Sequence, residues 1–342
     1  RAWLAMGSCA SSCFEFVSGS SIRRQGDCHL SPASNASLLL LGYLHFQVPD
    51  EQLAGFFWRD GLGAGESSSQ SANELRLNFG PSQLRFSIEQ ANEASFWPGK
   101  IFIWVDDIRV SRDRFLMLCH RCIPRNTVHE ETPSLHGGEV AMTLLDPLAQ
   151  NMVILTECPA GANNKLRAIP SDASIDQKHN ALAIFDVILD IPKQGWLGAI
   201  AKFYSHILMT DIDFPGTSGA QVMVHFGPAE ALHQTLTFRE VEQCGRHQNL
   251  GEICFYVATE AKFRSCFDRC QASGVISSYL TWSTIESRKE LRISGISDID
   301  SKRDLIPLKH VIRSPLHSEC PLGERVVKSS FSLFSSNSLS SL

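Results

Sequence analysis

The sequence predicts an α+β fold assembled from a repeated unit of one helix and several short strands. Residues 183–208 contain a β-branched, apolar stretch, then a turn opened by Pro192 and Gly195, then an amphipathic segment of helical period. Residues 41–63 show the same order of features, with an apolar strand, a Pro-Asp helix start and an amphipathic helix that carries an aromatic pair. A strand–turn–helix pattern that recurs within one chain indicates an internal duplication.

The same series of elements follows each copy of this pattern: two short strands, a second strand–helix segment and a closing strand. The elements of the first half lie at residues 74–80, 83–89, 100–122 and 141–157. Those of the second half lie at residues 221–228, 233–240, 252–275 and 290–314. This order predicts two tandem modules of similar build, at residues 39–157 and 180–320.

The composition is that of an ordinary globular chain with ample core material. Of the 342 residues, 43% are hydrophobic and 20% are charged, and the net charge is −5. The sequence shows no basic stripe and no run of about 20 apolar residues, so we expect neither nucleic-acid binding nor a membrane span. The 11 cysteines are scattered and odd in number. Most of them indicate small core residues in a reducing compartment, so we expect a cytoplasmic or organellar location; the family resemblance described below adds the plastid as one candidate.

We interpret the two ends and the middle of the chain as non-globular. Residues 1–38 are rich in Ser and Cys and predict a disordered leader or a transit segment. If translation starts at Met6, the terminus fits the N-myristoylation pattern on Gly7 with palmitoylation at Cys9, which would tether the protein to a membrane. Residues 158–179 are rich in Pro, Ala, Asn and Ser and indicate a linker, and the Ser-dominated residues 321–342 indicate a disordered tail.

Short motifs in a fixed order connect the chain to a known family. The first set is Val48-Pro49-Asp50, Phe56-Phe57 with Leu62-Gly63, and the Asp-Pro-Leu-Ala-Gln-Asn turn at residues 146–151. Further motifs lie at residues 80–84, 236–240 and 310–317. With them, residues 41–317 resemble the vicinal oxygen chelate superfamily, which includes glyoxalases, bleomycin-resistance proteins and extradiol dioxygenases. The resemblance is strongest to two-repeat glyoxalase-like proteins.

The resemblance implies a particular architecture and a particular chemistry. Family members pair βαβββ units so that a curved mixed sheet encloses a cup, and they often form homodimers. In the enzymes, four inward side chains hold a divalent metal that chelates two neighbouring substrate oxygens. Such a cation acts as a Lewis acid, which suits lyase and dioxygenase chemistry.

In the first module, the four positions at which the enzymes of the family carry metal ligands do not hold metal-binding residues. They fall on Tyr43, Arg85, Lys100 and Val153, which do not make a divalent-metal site. His45 shares a strand face with Tyr43, because side chains alternate along a strand. Tyr43, His45 and Arg85 could instead form a polar pocket for an anion, the alternative being a polar interior whose groups simply satisfy one another.

The second module retains more donors. Its ligand places fall on Asp186, Thr237, Glu252 and either Lys309 or Val311. We therefore predict that Zn, Ni, Mn or Fe would be held by Asp186, Glu252 and His310, with Glu252 also catalytic; a bulge would be needed to turn His310 inward. Arg313 could bind the ligand or pair with a buried carboxylate.

Two functional hypotheses follow from these predicted site residues. The first is a glyoxalase- or dioxygenase-like protein that binds a small, oxygen-rich organic ligand, with metal-assisted chemistry in the second module. The second is a non-catalytic binding or scaffold protein that keeps the fold and has lost the metal. Fold alone does not separate them, because function depends on the site residues.

Overall fold

The computed structural model describes residues 38–67, 73–88, 94–119, 128–133, 140–148, 151–159, 179–215, 219–227, 234–244 and 249–321. The expected leader, linker and tail lie almost entirely outside these residues, as do Gly7 and Cys9. The longest described α-helix has 13 residues, and none of the described helices is long and apolar enough to cross a bilayer.

The described residues contain 17 strands. Those of the first half are β1 (Leu38–Val48), β2 (Gly65–Glu66), β3 (Glu74–Phe79), β4 (Ser82–Ile88), β5 (Gly99–Val105), β6 (Val128–Pro133), β7 (Val140–Leu145) and β8 (Met152–Glu157). Those of the second half are β9 (Ala181–Pro192), β10 (Ile212–Asp213), β11 (Gln221–Phe226), β12 (Gln234–Val241), β13 (Glu252–Val257), β14 (Glu290–Ile293), β15 (Ile296–Ser297), β16 (Asp304–Ile306) and β17 (Lys309–Arg313).

Five α-helices within the described residues connect these strands. They are α1 (Glu51–Ala54), which continues as a π-helix (Gly55–Gly61), α2 (Ile108–Cys119), α3 (Leu197–Ile207), α4 (Glu260–Ala272) and α5 (Trp282–Arg288). Asp50 begins α1 as predicted from the Pro-Asp signal, because its carboxylate accepts a hydrogen bond from the backbone N–H of Leu53 at 2.9 Å. Thr259 caps α4 in the same way through the backbone N–H of Lys262.

The strands form two large mixed sheets and one small hairpin. Sheet A has the order β14-β17-β13-β1-β4-β3-β2, and sheet B has the order β10-β11-β12-β9-β5-β8-β7-β6. Three units share one plan, in which the first strand of the unit pairs in parallel with its fourth, and the third and second strands follow. The fourth unit contributes β13, β17 and β14 to sheet A, and the hairpin of β15 and β16 is inserted between β14 and β17.

The α+β class and the repeated units that the sequence predicts are confirmed. The partners within each sheet differ from the expected ones, because every large sheet combines one unit from each half of the chain. Antiparallel pairing of β1 with β13 joins the first and fourth units, and antiparallel pairing of β5 with β9 joins the second and third. Side-chain alternation specifies which face of a strand is buried but does not specify its neighbour, so this pairing was not readable from the pattern.

The two sheets share a core that lies on one face of each. On β4, Leu84 and Phe86 are fully buried in this core, whereas Arg85 between them points to the opposite face of sheet A. Contacts across the core connect both sheets, since Tyr204 of α3, in a unit of sheet B, packs against Phe255 of β13 in sheet A. The opposite face of sheet A is therefore available for polar side chains.

Candidate anion-binding site on sheet A

The face of sheet A that points away from the core is rich in charge. We call it the polar face. Its members on the first-half strands are Tyr43, His45, Glu74, Arg76, Asn78, Gln83 and Arg85. Its members on the second-half strands are Glu252, Cys254, Tyr256, Glu290, Arg292, Val311 and Arg313. Strict alternation along each strand places these residues together, because every second side chain faces the same way.

Two buried guanidinium groups lie at the centre of the polar face. Arg85 and Arg313 are each only 5% exposed, although one comes from the first half of the chain and the other from the second. Both stack on the ring of Tyr43, with the guanidinium carbon of Arg85 at 4.0 Å from the ring centroid and that of Arg313 at 5.2 Å. An aromatic face stabilises a nearby cation, so Tyr43 forms a platform for both arginines.

A carboxylate from the end of the described chain lies between these arginines. One oxygen of Glu319 accepts hydrogen bonds from Arg85 at 3.0 Å and from Arg313 at 2.5 Å, and the other accepts from Arg76 at 2.7 Å. Burial alone would raise the pKa of Glu319, but the charges and hydrogen bonds of Arg85 and Arg313 outweigh it and hold that pKa well below its usual range. Three arginines thus bind one anionic group.

Further hydrogen bonds fix the arginines in place. The side-chain oxygen of Gln83 accepts from Nε of Arg85 at 3.1 Å and from Nη2 at 2.7 Å. Nε of Arg313 donates to Glu290 at 2.9 Å. Burial raises the pKa of Glu290, but the hydrogen bond and charge of Arg313 dominate, and the net pKa of that carboxyl is lowered. Each guanidinium is therefore aimed by a second partner before it meets Glu319.

Glu252, the predicted catalytic residue, is also on the polar face. Its carboxylate accepts a hydrogen bond from the phenol of Tyr43 at 2.8 Å and another from Arg292 at 2.7 Å. Burial, with lesser contributions from Cys254 and Glu252, raises the pKa of Tyr43 well above its ordinary value, so the phenol stays protonated and remains the donor.

His45 lies beside this pair in the ladder. It is the register partner of Glu252 on β13 and of Arg85 on β4. Its Nε2 atom is buried and has no hydrogen-bond partner among the residues that the structure describes. Burial lowers the pKa of His45, so the imidazole is neutral at pH 7.

The structure does not bring the three predicted metal ligands together. Glu252 lies on the polar face of sheet A, whereas Asp186 lies on β9 of sheet B, where it accepts a hydrogen bond from the Thr235 hydroxyl. His310 is fully buried on the core face of sheet A, where its Nε2 accepts from the Tyr204 phenol at 2.7 Å and its Nδ1 donates to the Leu308 carbonyl at 2.7 Å. Asp186 is separated because its unit belongs to sheet B, and His310 is separated because it faces the core side of sheet A while Glu252 faces the opposite side.

The donor chemistry of the polar face does not fit a divalent cation either. No group of three His, Cys, Asp or Glu side chains suitable for a metal occurs in the part of the chain that the structure describes. Glu252, Glu290 and Glu319 are each bound by at least one arginine. A guanidinium cation bound to a carboxylate competes with a metal for the same oxygens, so we assign no metal-dependent step to this face.

Four site residues escaped the sequence analysis. They are Arg76, Glu290, Arg292 and Glu319. The first three could have been found from strand alternation, because a residue next to a core-facing leucine points to the opposite face of the sheet. Arg76 is next to Leu77, and Glu290 and Arg292 are on either side of Leu291. Glu319 follows the last strand in a segment with no periodic pattern, so the sequence alone carried no signal for it.

Comparisons with known proteins were made on sequence and on structure. No family model and no curated protein matches the sequence. Among solved structures, the chain is similar to a putative dioxygenase from Bacillus subtilis, with 11% identity, a TM-score of 0.49, and coverage of 88% of this chain and 96% of that one.

Two further solved structures match at lower TM-scores. The 2,3-dioxygenase LapB from a Pseudomonas strain has 13% identity, a TM-score of 0.30, and coverage of 82% of this chain and 93% of that one. A lactoylglutathione lyase from Agrobacterium tumefaciens has 17% identity, a TM-score of 0.26, and coverage of 34% and 92%. By its own strand order, with four helix-and-strand units paired into two mixed sheets, the chain has the fold that its resemblance to the vicinal oxygen chelate superfamily implies.

Proposed function

We propose that the protein binds a small organic anion through a carboxylate on the polar face of sheet A, without a metal ion. The single observation that supports this most is the pair of buried arginines, Arg85 and Arg313, which converge on one carboxylate oxygen. Arginine presents a rigid fork of donors that matches a carboxylate, and it keeps its charge when buried.

Burial makes this arrangement selective for anions. A guanidinium that is 5% exposed has lost most of its hydration, so it requires an anionic or strongly polar partner. The Tyr43 ring satisfies the faces of the two guanidinium groups, and Gln83 and Glu290 satisfy part of their edges. One nitrogen of each guanidinium, Nη2 of Arg85 and Nη1 of Arg313, donates to the Glu319 carboxylate, and a ligand carboxylate would bind in that place.

Calorimetry and thermal unfolding of the full chain with a series of carboxylates test the proposal. We expect at least one acid to bind and to raise the melting temperature, because a ligand that binds only the folded state stabilises it. Arg85→Lys should weaken this binding by about tenfold, since it removes a charge-assisted hydrogen bond worth about 1.5–3 kcal/mol.

Arg239→Lys is the matched control for this experiment. Arg239 also binds a carboxylate, that of Asp190, with two hydrogen bonds at 2.7 and 3.0 Å, but it lies on sheet B. Its exchange should leave carboxylate binding unchanged. The proposal is wrong if no acid stabilises the chain up to about 50 mM, where millimolar affinity would already saturate the site. It is also wrong if the Arg85→Lys and Arg239→Lys chains bind equally.

A further inference from the structure

Residues 315–321 follow β17 and cross the polar face; we call them the strap. The backbone N–H groups of His317 and Cys320 donate to the carbonyls of Ser314 and His317, so these bonds close turns within the segment. Contact with the sheet is made by Glu319, by the Cys320 side chain, which is buried next to Tyr256, and by the His317 ring, which lies beside Tyr256 and Glu290. A segment attached mainly by side chains can leave the sheet without breaking a strand ladder.

Glu319 makes two kinds of contact at once. Its side-chain carboxylate is bound by Arg76, Arg85 and Arg313, and its backbone carbonyl accepts a hydrogen bond from the Tyr256 phenol at 2.7 Å. In a glutamate residue this carbonyl carbon and the carboxylate carbon are the two ends of a five-carbon chain. The polar face is therefore complementary to a carboxylate at one end of such a chain and to a carbonyl oxygen at the other.

The space beside Glu319 is larger than a carboxylate and a carbonyl group require. A cavity of about 110 Å³ adjoins it, lined by Tyr256, Gln83 and Asn78 together with the strap itself. A single water takes up about 30 Å³ of liquid, so this space exceeds one water. With the strap displaced, a substituent on the ligand's carbon chain would lie against the sheet residues Tyr256, Gln83 and Asn78 that line this space.

From these contacts we infer that Glu319 stands in for the ligand, and that the ligand is an acid with the glutarate skeleton, a carboxylate and a carbonyl oxygen at opposite ends of five carbons. The three arginines bind the ligand carboxylate, and the Tyr256 phenol donates a hydrogen bond to the carbonyl oxygen at the other end of the ligand. The strap is displaced when the ligand binds. This inference rests on the proposed function and adds the ligand class and its internal competitor.

Competition by the strap has a measurable consequence. If the site is open for a fraction of the time, the apparent dissociation constant is the intrinsic one divided by that fraction. A strap that is open for about a tenth of the time weakens binding about tenfold. Glu319→Ala removes the competing carboxylate, so we expect the full-length variant to bind glutarate at least tenfold more tightly than the natural chain.

Stability provides a second reading of the same variant. Glu319→Ala should lower the melting temperature, because the buried Arg85 loses the carboxylate that it binds, whereas Arg313 keeps Glu290 and Arg76 keeps Glu74. Glutarate should restore it, whereas sodium chloride at equal ionic strength should not. Glu319→Gln keeps the shape of the side chain and tests the loss of charge if the alanine variant does not fold. Glu242→Ala, which removes a carboxylate from an exposed pair with Lys193, is the control and should leave glutarate binding unchanged.

The length and second oxygen of the ligand are tested separately. Malonate, succinate, glutarate and adipate vary the chain length, and butyrate keeps one carboxylate but lacks the second oxygen. We expect glutarate to bind the Glu319→Ala chain more tightly than malonate, succinate, adipate or butyrate does. Tyr256→Phe, made in that chain, should weaken glutarate binding while butyrate binding stays unchanged.

The outcomes separate this inference from the proposed function. Equal glutarate affinity in the natural, Glu319→Ala and Glu319→Gln chains would overturn the strap as competitor and leave carboxylate binding intact. Equal affinity of the Glu319→Ala chain for glutarate and butyrate would overturn the ligand class alone. Absence of binding by every acid to every variant would overturn the proposed function and this inference together.

Discussion

Arg313 illustrates how much one side chain can connect on the polar face. Its guanidinium donates to Glu290 and Glu319 and lies over the Tyr43 ring, and it is 5% exposed. A surface ion pair is screened by water, whereas a buried one leaves an uncompensated charge when one partner is removed. Glu290 also binds Arg292 and Glu319 also binds Arg85, so removing Arg313 deprives each carboxylate of one of its counter-ions.

Replacing Arg313 with alanine should be strongly destabilising. We expect a loss of about 3–5 kcal/mol in the free energy of unfolding, since Glu290 and Glu319 would both lose a buried partner. Urea denaturation at pH 7 measures the change. Lys193→Ala breaks an exposed pair with Glu242 and should cost about 0–1 kcal/mol. A similar loss in both variants would mean that the polar face is solvated and that its ion pairs contribute little.

His310 was expected to turn toward a metal through a bulge, and the structure gives it a different role. The regular pairing of β17 with β13 and β14 keeps it on the core face, among Phe203, Tyr204 and Phe255. Burial lowers the pKa of His310 from its ordinary value to about 4. Its two hydrogen bonds fix one neutral tautomer, with the proton on Nδ1.

Acid should destabilise the protein through His310. Between pH 6.5 and about pH 4 the unfolded chain binds a proton on this residue and the folded chain does not, so stability falls as the pH falls. The shift of the pKa corresponds to a loss of about 3 kcal/mol between pH 7 and pH 4. Urea denaturation across this range measures it.

The control for this pH dependence removes both polar partners. In a Tyr204→Phe/His310→Leu chain the phenol and the imidazole are both absent, so only the Leu308 carbonyl loses a donor. The part of the acid destabilisation due to His310 should disappear. Burial also lowers the pKa of His45 and His317, so a smaller loss of the same sign should remain. An unchanged slope in the double variant would show that His310 titrates normally.

At the level of elements, the sequence specified faces and caps but not partners. The alternation of Leu84, Arg85 and Phe86 correctly separates core from polar face, and Asp50 correctly marks a helix start. Tyr43, Arg85 and Arg313 were each singled out, yet in different modules. Their meeting depends on the pairing of β1 with β13, which is a long-range choice that no local pattern encodes.

Gly80, in the turn between β3 and β4, joins the two sheets. Its φ is +59°, and a Cβ atom there would lie 2.2 Å from the backbone carbonyl oxygen of Leu182 on β9. Gly219 has the same φ of +59°, but a Cβ atom at that position would meet nothing within 4 Å. The two glycines therefore separate the cost of backbone conformation from the cost of the contact between sheets.

Alanine at these two positions should have different effects. Gly219→Ala should cost about 1–2 kcal/mol, the penalty of a left-handed conformation for a residue with a Cβ. Gly80→Ala should cost that amount and more, because backbone at Leu182 would have to move as well. Thermal and urea unfolding of both variants measure the difference. Equal destabilisation would mean that the turn and β9 are not in firm contact.

At the scale of the whole molecule, the two halves are interleaved. Each large sheet is closed by an antiparallel pair between a strand of the first half and a strand of the second, β1 with β13 and β5 with β9. The carboxylate site has the same property, since Arg85 belongs to one half and Arg313 and Glu319 to the other. The fold therefore depends on both of these pairings, and the carboxylate site depends on the pairing of β1 with β13.

Separating the two halves of the chain should therefore abolish both the fold and the carboxylate site. A chain cut within residues 160–178 gives two fragments, each with β-strand edges that its partner would cover, and unpaired edges of this length favour aggregation. We expect each fragment expressed alone to be insoluble or to lack cooperative unfolding. Co-expressed fragments with different affinity tags should co-purify in equal amounts and bind the same carboxylates as the intact chain. A fragment that is soluble, monomeric and cooperatively folded by itself would show that its units pair with each other, which would contradict the sheet order described above.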